Sequence, residues 1–251
     1  KNSSKKLKTF SVGFEEKEYD EAFYARKVAE TIGTDHHDFY ISSKKVLESL
    51  EDYVRIFDEP FGDSSGLPTF LLSKYSREYV KVVLSGDGGD EFFSGYTKYK
   101  ILWKLSRMSN WKKSIIKLFF KVFDPNQLSK LYRVFADKKY SNLREKMSKF
   151  SQVLQTNNFL KQFQLAGTYW TDGELEKLLI KKEDGHIENY FLNKNIDKRE
   201  LMQVWDLSLY LPDDILVKGD RSTMAVGLEG REPFLDERVL NFVSQIKPKI
   251  K

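Results

Sequence analysis

The first apolar pattern in the chain has period two. In Lys8–Phe14 (KTFSVGF), Phe10, Val12 and Phe14 alternate with Thr9, Ser11 and Gly13. That predicts a strand whose small-residue face lets something approach the backbone closely. The period then lengthens. Ala22, Ala25, Val28, Ala29 and Ile32 recur at helical spacing within residues 19 to 32, and Gly33 stands where a helix ends. Residues 36 to 41 predict a second strand. Ser43 can cap the next helix, in which Val46, Leu47, Leu50, Tyr53, Val54 and Phe57 form an apolar stripe. The stretch DEPFGDSSGLPT (58 to 69) has turn chemistry, and Pro68 suits the first turn of a helix running through Tyr75. The nearly continuous apolar run VKVVL (80 to 84) predicts a strand buried on both faces. Strands alternating with helices in this way make a parallel sheet covered by helices.

From about residue 100 the pattern is helical throughout. WKKSIIKLFFKVF, NQLSKLYRVF, LREKMSKFSQVL and LMQVWDLSLYL are amphipathic, with a break at Asp124-Pro125. Residues 1–100 therefore read as an α/β part and residues 101–251 as a helical part completing the same domain. At 251 residues the chain can bury a real core, and its 40% apolar content is that of a globular protein. No apolar run approaches the ~20 residues that span a bilayer, so no membrane helix is expected. The start KNSSKKLKTF has no apolar stretch of the signal-peptide kind. The absence of cysteine excludes disulfides, thiolate metal sites and cysteine nucleophiles in this sequence, and makes a cytoplasmic location the default.

Charge is unevenly placed. Residues 101 to 165 hold fourteen Lys and Arg against three Asp and Glu, while the whole chain is only +5. A basic helical module that binds nucleic acid is one consequence to weigh. The solvated face of amphipathic helices accounts for the same charges and is the preferred reading. His36 and His37 are neighbours on a strand and point to opposite faces, and His186 is distant in sequence. No zinc site is expected.

The densest candidate chemistry is SGDGGDE (85 to 91), three glycines and three acids directly after the VKVVL strand. In open parallel sheets ligands bind beyond the carboxyl ends of the strands. Glycines let the backbone fold tightly there, with amides free to donate to phosphate or ribose oxygens. Asp87, Asp90 and Glu91 could hold Mg²⁺, which takes one or two protein carboxylates plus substrate phosphates. An EF-hand starting at Asp87 fails, because its sixth position is Phe92. Neither G-x-x-x-x-G-K-[ST] nor G-x-G-x-x-G occurs.

Together LSGDGGDEFFSGY (84 to 96), DEPFGDSSGLPT (58 to 69), YLPDDILVKGDRSTMAVGLEGREPFLD (210 to 236) and KTFSVGF resemble the synthetase half of glutamine-hydrolysing asparagine synthetases. The resemblance implies an adenine nucleotide α-hydrolase-like, Rossmann-like parallel-sheet domain. It implies ATP and Mg²⁺ as cofactors, with aspartate and ammonia as substrates. Aspartate's side-chain carboxylate would attack the α-phosphate of ATP, giving β-aspartyl-AMP, on which ammonia then acts. Carried over by position, the backbone of Val12 would lie near adenine, Ser85 and Gly86 near ribose, and Asp90 near Mg²⁺ and pyrophosphate. Asp87 falls where the family has an acid tied to acyl-adenylate formation. Asp214, Lys218, Asp220 and Arg221 are further site candidates, with Asp214 and Lys218 in catalytic roles. Asp63 and Ser64 could meet substrate, although capping the Pro68 helix also explains them. Glu229, Arg231 and Asp236 around Pro233 fit a structural ion-pair set as well as a functional one.

The family's N-terminal glutaminase domain, its S-G-G-x-D-S-S pyrophosphate loop and its late lysine have no counterpart in these residues. An internal piece of a synthetase is therefore expected, inactive alone and too weak an ATP binder to register at micromolar ligand. A homodimer of the parent is compatible with this reading. A relative that adenylates another carboxylate, such as a β-lactam-forming cyclase, is the alternative within enzymes. The family's sheet has one more strand between the strands at 8 to 14 and 80 to 84. These two are expected to pair directly, to receive a segment from elsewhere in the chain, or to receive a strand from another chain.

Overall fold

The computed structural model describes residues 5–15, 20–123, 143–168, 170, 172–178 and 196–247. In chain order these form β1 (Lys8–Phe14), α1 (Ala22–Ile32), β2 (Asp35–Ile41), α2 (Ser43–Arg55), α3 (Gly66–Arg77), β3 (Val82–Leu84), α4 (Gly89–Phe93), α5 (Thr97–Ser106), α6 (Asn110–Val122), α7 (Leu143–Gln155), α8 (Phe159–Gly167), α9 (Asp172–Leu178) and α10 (Lys198–Trp205). A π-helical run, Asp206–Leu216, leads to α11 (Val217–Met224), β4 (Glu229–Arg231) and α12 (Glu237–Ser244). The predicted helix NQLSKLYRVF lies outside the described residues. The chain is α/β, mostly helical, with small parallel sheets. It divides into two compact units, Lys1–Gly88 with Ser208–Phe242, and Gly89–Leu207 with Val243–Lys251. The stretch expected to form one helical part thus contributes residues 208 to 242 to the first unit.

In the first unit β1 pairs in parallel with β2 along its whole length, from Lys8 opposite Asp35 to Phe14 opposite Ile41. One face of this pair joins Ile41, Tyr53, Leu67, Phe70 and Leu71 in a core that also takes in Val12, Phe14 and Phe39. The other face is polar. Asp38 accepts from Ser11 Oγ at 2.6 Å and from Arg26 Nε at 2.9 Å, and lies 2.8 Å from His36 Nε2. His37, on the opposite face, stacks on Phe10 with ring centroids 5.4 Å apart. The two histidines therefore point apart as the strand period requires. Each is absorbed by packing or by a carboxylate, and among the described residues no group of histidines and acids is arranged to hold a metal.

β3 pairs in parallel with β4, Val82 opposite Glu229 and Leu84 opposite Arg231. These are two separate two-stranded sheets. Direct pairing of β1 with β3 does not occur, and among the described residues no strand joins the two sheets. The first route for closing the sheet is thus overturned. The cost foreseen for open edges assumed buried backbone groups. Here β3 is exposed, with Val82 41% and Leu84 71% accessible, so its unpaired N–H and C=O groups can bond to water. The same exposure corrects the reading of VKVVL as a strand buried on both faces. On α2, Tyr53 is buried while Leu47, Leu50 and Val54 are exposed, so only part of the predicted stripe is core. Its cap is Ser42 rather than Ser43: the Ser42 hydroxyl accepts from Lys45 N–H.

The second unit is a helical cluster around Tyr99, Leu102, Leu105, Val153, Leu154, Phe163 and Met202. Its buried polar groups are bonded. Gln203 Nε2 donates to the Glu91 and Phe92 carbonyls at 3.1 and 2.8 Å, and Tyr96 donates to the Glu91 carboxylate. LMQVWDLSLYL begins as α-helix and widens to π-winding at Asp206. Pro212 offers no N–H to the carbonyl four residues back and its ring would strike that carbonyl. The wider turn carries the carbonyl away.

Candidate functional site

Because β3 and β4 are parallel, the loops after Leu84 and Arg231 leave the same end of the sheet. SGDG therefore sits at a strand's carboxyl end, as its sequence position predicted. Ser85 N–H donates to the Arg231 carbonyl at 3.0 Å, extending the ladder by one bond, and Ser85 Oγ donates to Asp87 Oδ2 at 2.9 Å. Gly88 turns the chain with φ of 87°, a region in which a β-carbon is strained. Around Gly86 there is open space on the side where a β-carbon would project. The N-terminal turn of α11 meets this loop, with the Gly219 backbone close to Asp87 Oδ2. Glu232, which follows β4, completes an acidic group: burial and then the charges of Asp87 and Asp220 push its carboxyl above the usual range. The sequence reading missed Glu232, which nothing in EGREPF distinguishes from a surface acid.

Beside this group the segment before α3 and α11 are tied together. Lys218 Nζ donates to Asp63 Oδ2 at 2.7 Å and to Ser65 Oγ at 2.8 Å. Ser65 gives Asp63 two more bonds, from its N–H at 2.8 Å and its hydroxyl at 2.7 Å. The Lys218 and Asp63 side chains are only 12% and 10% exposed. Burial works against the Asp63 charge, but the Lys218 ammonium and the Ser65 donors outweigh it and hold this carboxyl below its ordinary range. Asp214 shows the reverse. Burial, the Asp63 charge and a hydrogen bond to Asp63 that only the protonated acid can donate push it up to about 6, against the pull of Lys218. Below about pH 6 the two carboxyls hold one proton between them. Ser65 went unnamed in the sequence reading, although its place two residues after Asp63 is that of an Asx turn.

A cavity of about 680 Å³ opens next to this cluster. Val12 and Phe14 of β1 and Pro68 and Leu72 of α3 form apolar walls, with Ser64 and Ser65 at its polar side. That is the size and character of a small-molecule pocket. Val12 and Ser64, far apart in sequence, are thus brought together, and Ser65 links the pocket to Lys218.

Other candidates lie elsewhere. Arg221 pairs with Asp58 at 2.7 Å. Glu229 pairs with Arg231, and Asp236 with Arg238, whose guanidinium holds the Asp236 carboxyl down to about 2. Asp90 belongs to the second unit, where its carbonyl accepts from Gly95 N–H at 3.0 Å. For Mg²⁺ the test is the donor set. Among the described residues no three acids close a protein-only cage. Asp87 with Asp220 or Glu232 supplies hard oxygen donors that suit a cation still holding phosphate.

Gly66 carries a prediction about the packing of this cluster. An added β-carbon would lie 2.1 Å from the Tyr53 hydroxyl oxygen, and Tyr53 is buried. Gly66→Ala is expected to lower stability by about 1–3 kcal/mol in denaturant unfolding. Tyr53→Phe, by removing that oxygen, should recover part of the loss.

The asparagine synthase family model matches residues 1–251. The chain is 29% identical to an asparagine synthetase [glutamine-hydrolyzing] of Bacillus subtilis over 98% of its length and 37% of the relative's. It is 32% identical to a protein of Methanocaldococcus jannaschii named for the same enzyme, over 87% of this chain and 40% of that one. An asparagine synthetase [glutamine-hydrolyzing] of Lotus japonicus is 30% identical over 85% of this chain and 32% of its own. The chain thus spans well under half the length of these relatives. Among the described residues no helix is long and apolar enough to cross a membrane.

Proposed function

The chain belongs to the asparagine synthase family, and we propose that it forms the ATP-dependent synthetase region of a glutamine-hydrolysing asparagine synthetase, on an adenine nucleotide α-hydrolase-like fold. The observation that carries this reading is the seating of Lys218 at the edge of the Val12–Ser64 cavity, bonded to Ser65 of its wall. An apolar pocket suits a purine, and an ammonium at its border suits the anions attached to it.

In this reading the adenine occupies the cavity against the Val12 backbone, and Ser85 and Gly86 face the ribose. The side-chain carboxylate of aspartate attacks the α-phosphate of ATP, pyrophosphate leaves, and ammonia then attacks the acyl carbonyl and displaces AMP. Both steps bring anions together, so the demand on the protein is positioning and charge neutralisation. Mg²⁺, when bound with the nucleotide, would neutralise phosphate charge, and Asp87 with Asp220 or Glu232 would hold it. Lys218 can turn from Asp63 to a substrate anion, and the Asp63–Asp214 pair can accept a proton from the attacking nitrogen. Asp63 and Ser64 border the space left for the amino acid. The glutaminase domain of the full-length protein would supply the ammonia.

Mass spectrometry of the full-length protein given ATP, aspartate and glutamine tests this. Asparagine, AMP and pyrophosphate in equal amounts are expected. No asparagine, with AMP appearing only when another carboxylate is offered, would replace the proposal by a relative that adenylates that acid.

A further inference from the structure

We propose that Tyr53 is a positioning residue for the Asp63–Asp214 pair: its buried hydroxyl is the donor that receives the Asp214 carboxylate when the pair gives up its shared proton. Two atoms in the cluster are buried without a hydrogen-bond partner among the described residues, Tyr53 Oη and Asp214 Oδ1. Such atoms cost stability and call for an explanation. Here they belong to two side chains that face the same group. The Tyr53 phenol is raised above its ordinary range by burial and then by the charges of Asp63 and Asp214, so both carboxyls act on it.

The hydroxyl has nowhere else to turn. Tyr53 is 8% exposed, its ring packs against Phe57 with centroids 5.1 Å apart, and Gly66 closes over its oxygen. The charged and titratable groups acting on Asp214 are Asp63 from the segment before α3 and Lys218 from α11, with Tyr53 from α2 as the neutral donor. Lys218 and Ser65 are already bonded to Asp63. While Asp214 is protonated it donates to Asp63, and Tyr53 is idle. Once ionised, Asp214 only accepts, and Tyr53 is the neighbouring donor whose hydroxyl has no partner among the described residues.

The role deepens the synthetase reading and rests on it for its use in catalysis. A substrate anion that draws Lys218 off Asp63 makes the pair bind its proton more tightly. A tyrosine hydrogen bond to the ionised form offsets this, so that the pair can still release the proton near neutral pH. The proton affinity itself does not depend on what the enzyme makes.

Tyr53→Phe in the full-length protein is the test. The acid limb of the pH profile of asparagine formation should move up by about one pH unit, with the plateau rate within about twofold. A Tyr53 that matters only for packing would change rate or stability at every pH and leave the limb in place; superimposable limbs overturn the proposal. Thermal unfolding against pH gives a readout free of activity. Asp214 is raised in the fold, so it adds stability below the unfolded carboxylate range, and this is lost as pH rises through about 6. In Tyr53→Phe that loss should extend about one unit higher, and in Asp214→Asn it should vanish. If the step survives in Asp214→Asn it belongs to another group and the inference falls. If the wild type makes no asparagine, the functional reading fails while the unfolding curves still decide the role of Tyr53.

Discussion

Lys218→Met in the full-length protein is expected to slow acyl-adenylate formation by about 10²- to 10³-fold, the cost of removing one preorganised donor from a developing anion. Pyrophosphate release from ATP and aspartate reads this without the ammonia step. The expectation comes from the charges around the site. Asp63, Asp87, Asp214, Asp220 and Glu232 line the first unit's loops and α11, and Lys218 is the ammonium set among them. Arg221 is held by Asp58, and Arg231 by Glu229. Methionine keeps the length of the side chain and removes the charge. The Asp63 carboxyl would then rise, because burial is the largest influence on it and Lys218 the largest opposing one. Lys218→Arg restores charge, but a planar guanidinium cannot reproduce the two short bonds to Asp63 and Ser65, so partial recovery is expected. Undiminished pyrophosphate release in Lys218→Met, with lower stability, would make this lysine a structural partner of Asp63 and remove it from the chemistry.

Most of what locates this cluster was legible in the sequence, because it depends on local rules. Period two in KTFSVGF, helical spacing before Gly33 and the glycine–acid loop after VKVVL each report on their own few residues. Resemblance added Asp63, Asp214 and Lys218, which lie more than 150 residues apart from end to end yet share one hydrogen-bonded group. Local pattern could not yield what depends on distant partners. β4 is Glu-Gly-Arg, with no strand signature, and is a strand because β3 presents a backbone ladder to it. Leu47, Leu50 and Val54 carry the right period on α2 and are still exposed, since period identifies a face and not what covers it. Tyr53 read as one more stripe residue. What surrounds its hydroxyl, Gly66 against it and the charges of Asp63 and Asp214 acting on it, comes from segments outside α2.

Asp206 was the least legible of the buried groups, a single acid in the apolar run LMQVWDLSLYL, and its replacement is expected to have the largest effect on stability. Asp206→Asn should destabilise the second unit by about 3–5 kcal/mol in denaturant unfolding. The residue is 1% exposed and accepts from Lys98 Nζ at 2.8–3.0 Å and from Tyr99 Oη at 2.7 Å. Burial pushes its carboxyl upward, and Lys98 and Tyr99 work against that. Burial and the Asp206 charge likewise drive the Tyr99 phenol far up, so it stays a donor throughout the working range. The Lys98 ammonium also lies 4.8 Å from the Phe163 ring centroid and 5.0 Å from that of Tyr96. Asparagine can still accept from Tyr99 but removes the carboxylate charge that faces the Lys98 ammonium, and aromatic rings return only part of what a carboxylate gives. Lys98→Met with Asp206→Leu removes both charges together and should cost clearly less than Asp206→Asn alone, since the neighbouring Leu102, Phe163 and Met202 are apolar. A single replacement costing under about 1 kcal/mol would mean that water reaches the pair, as it does surface ion pairs. The cluster would then contribute specificity of packing without holding the unit together.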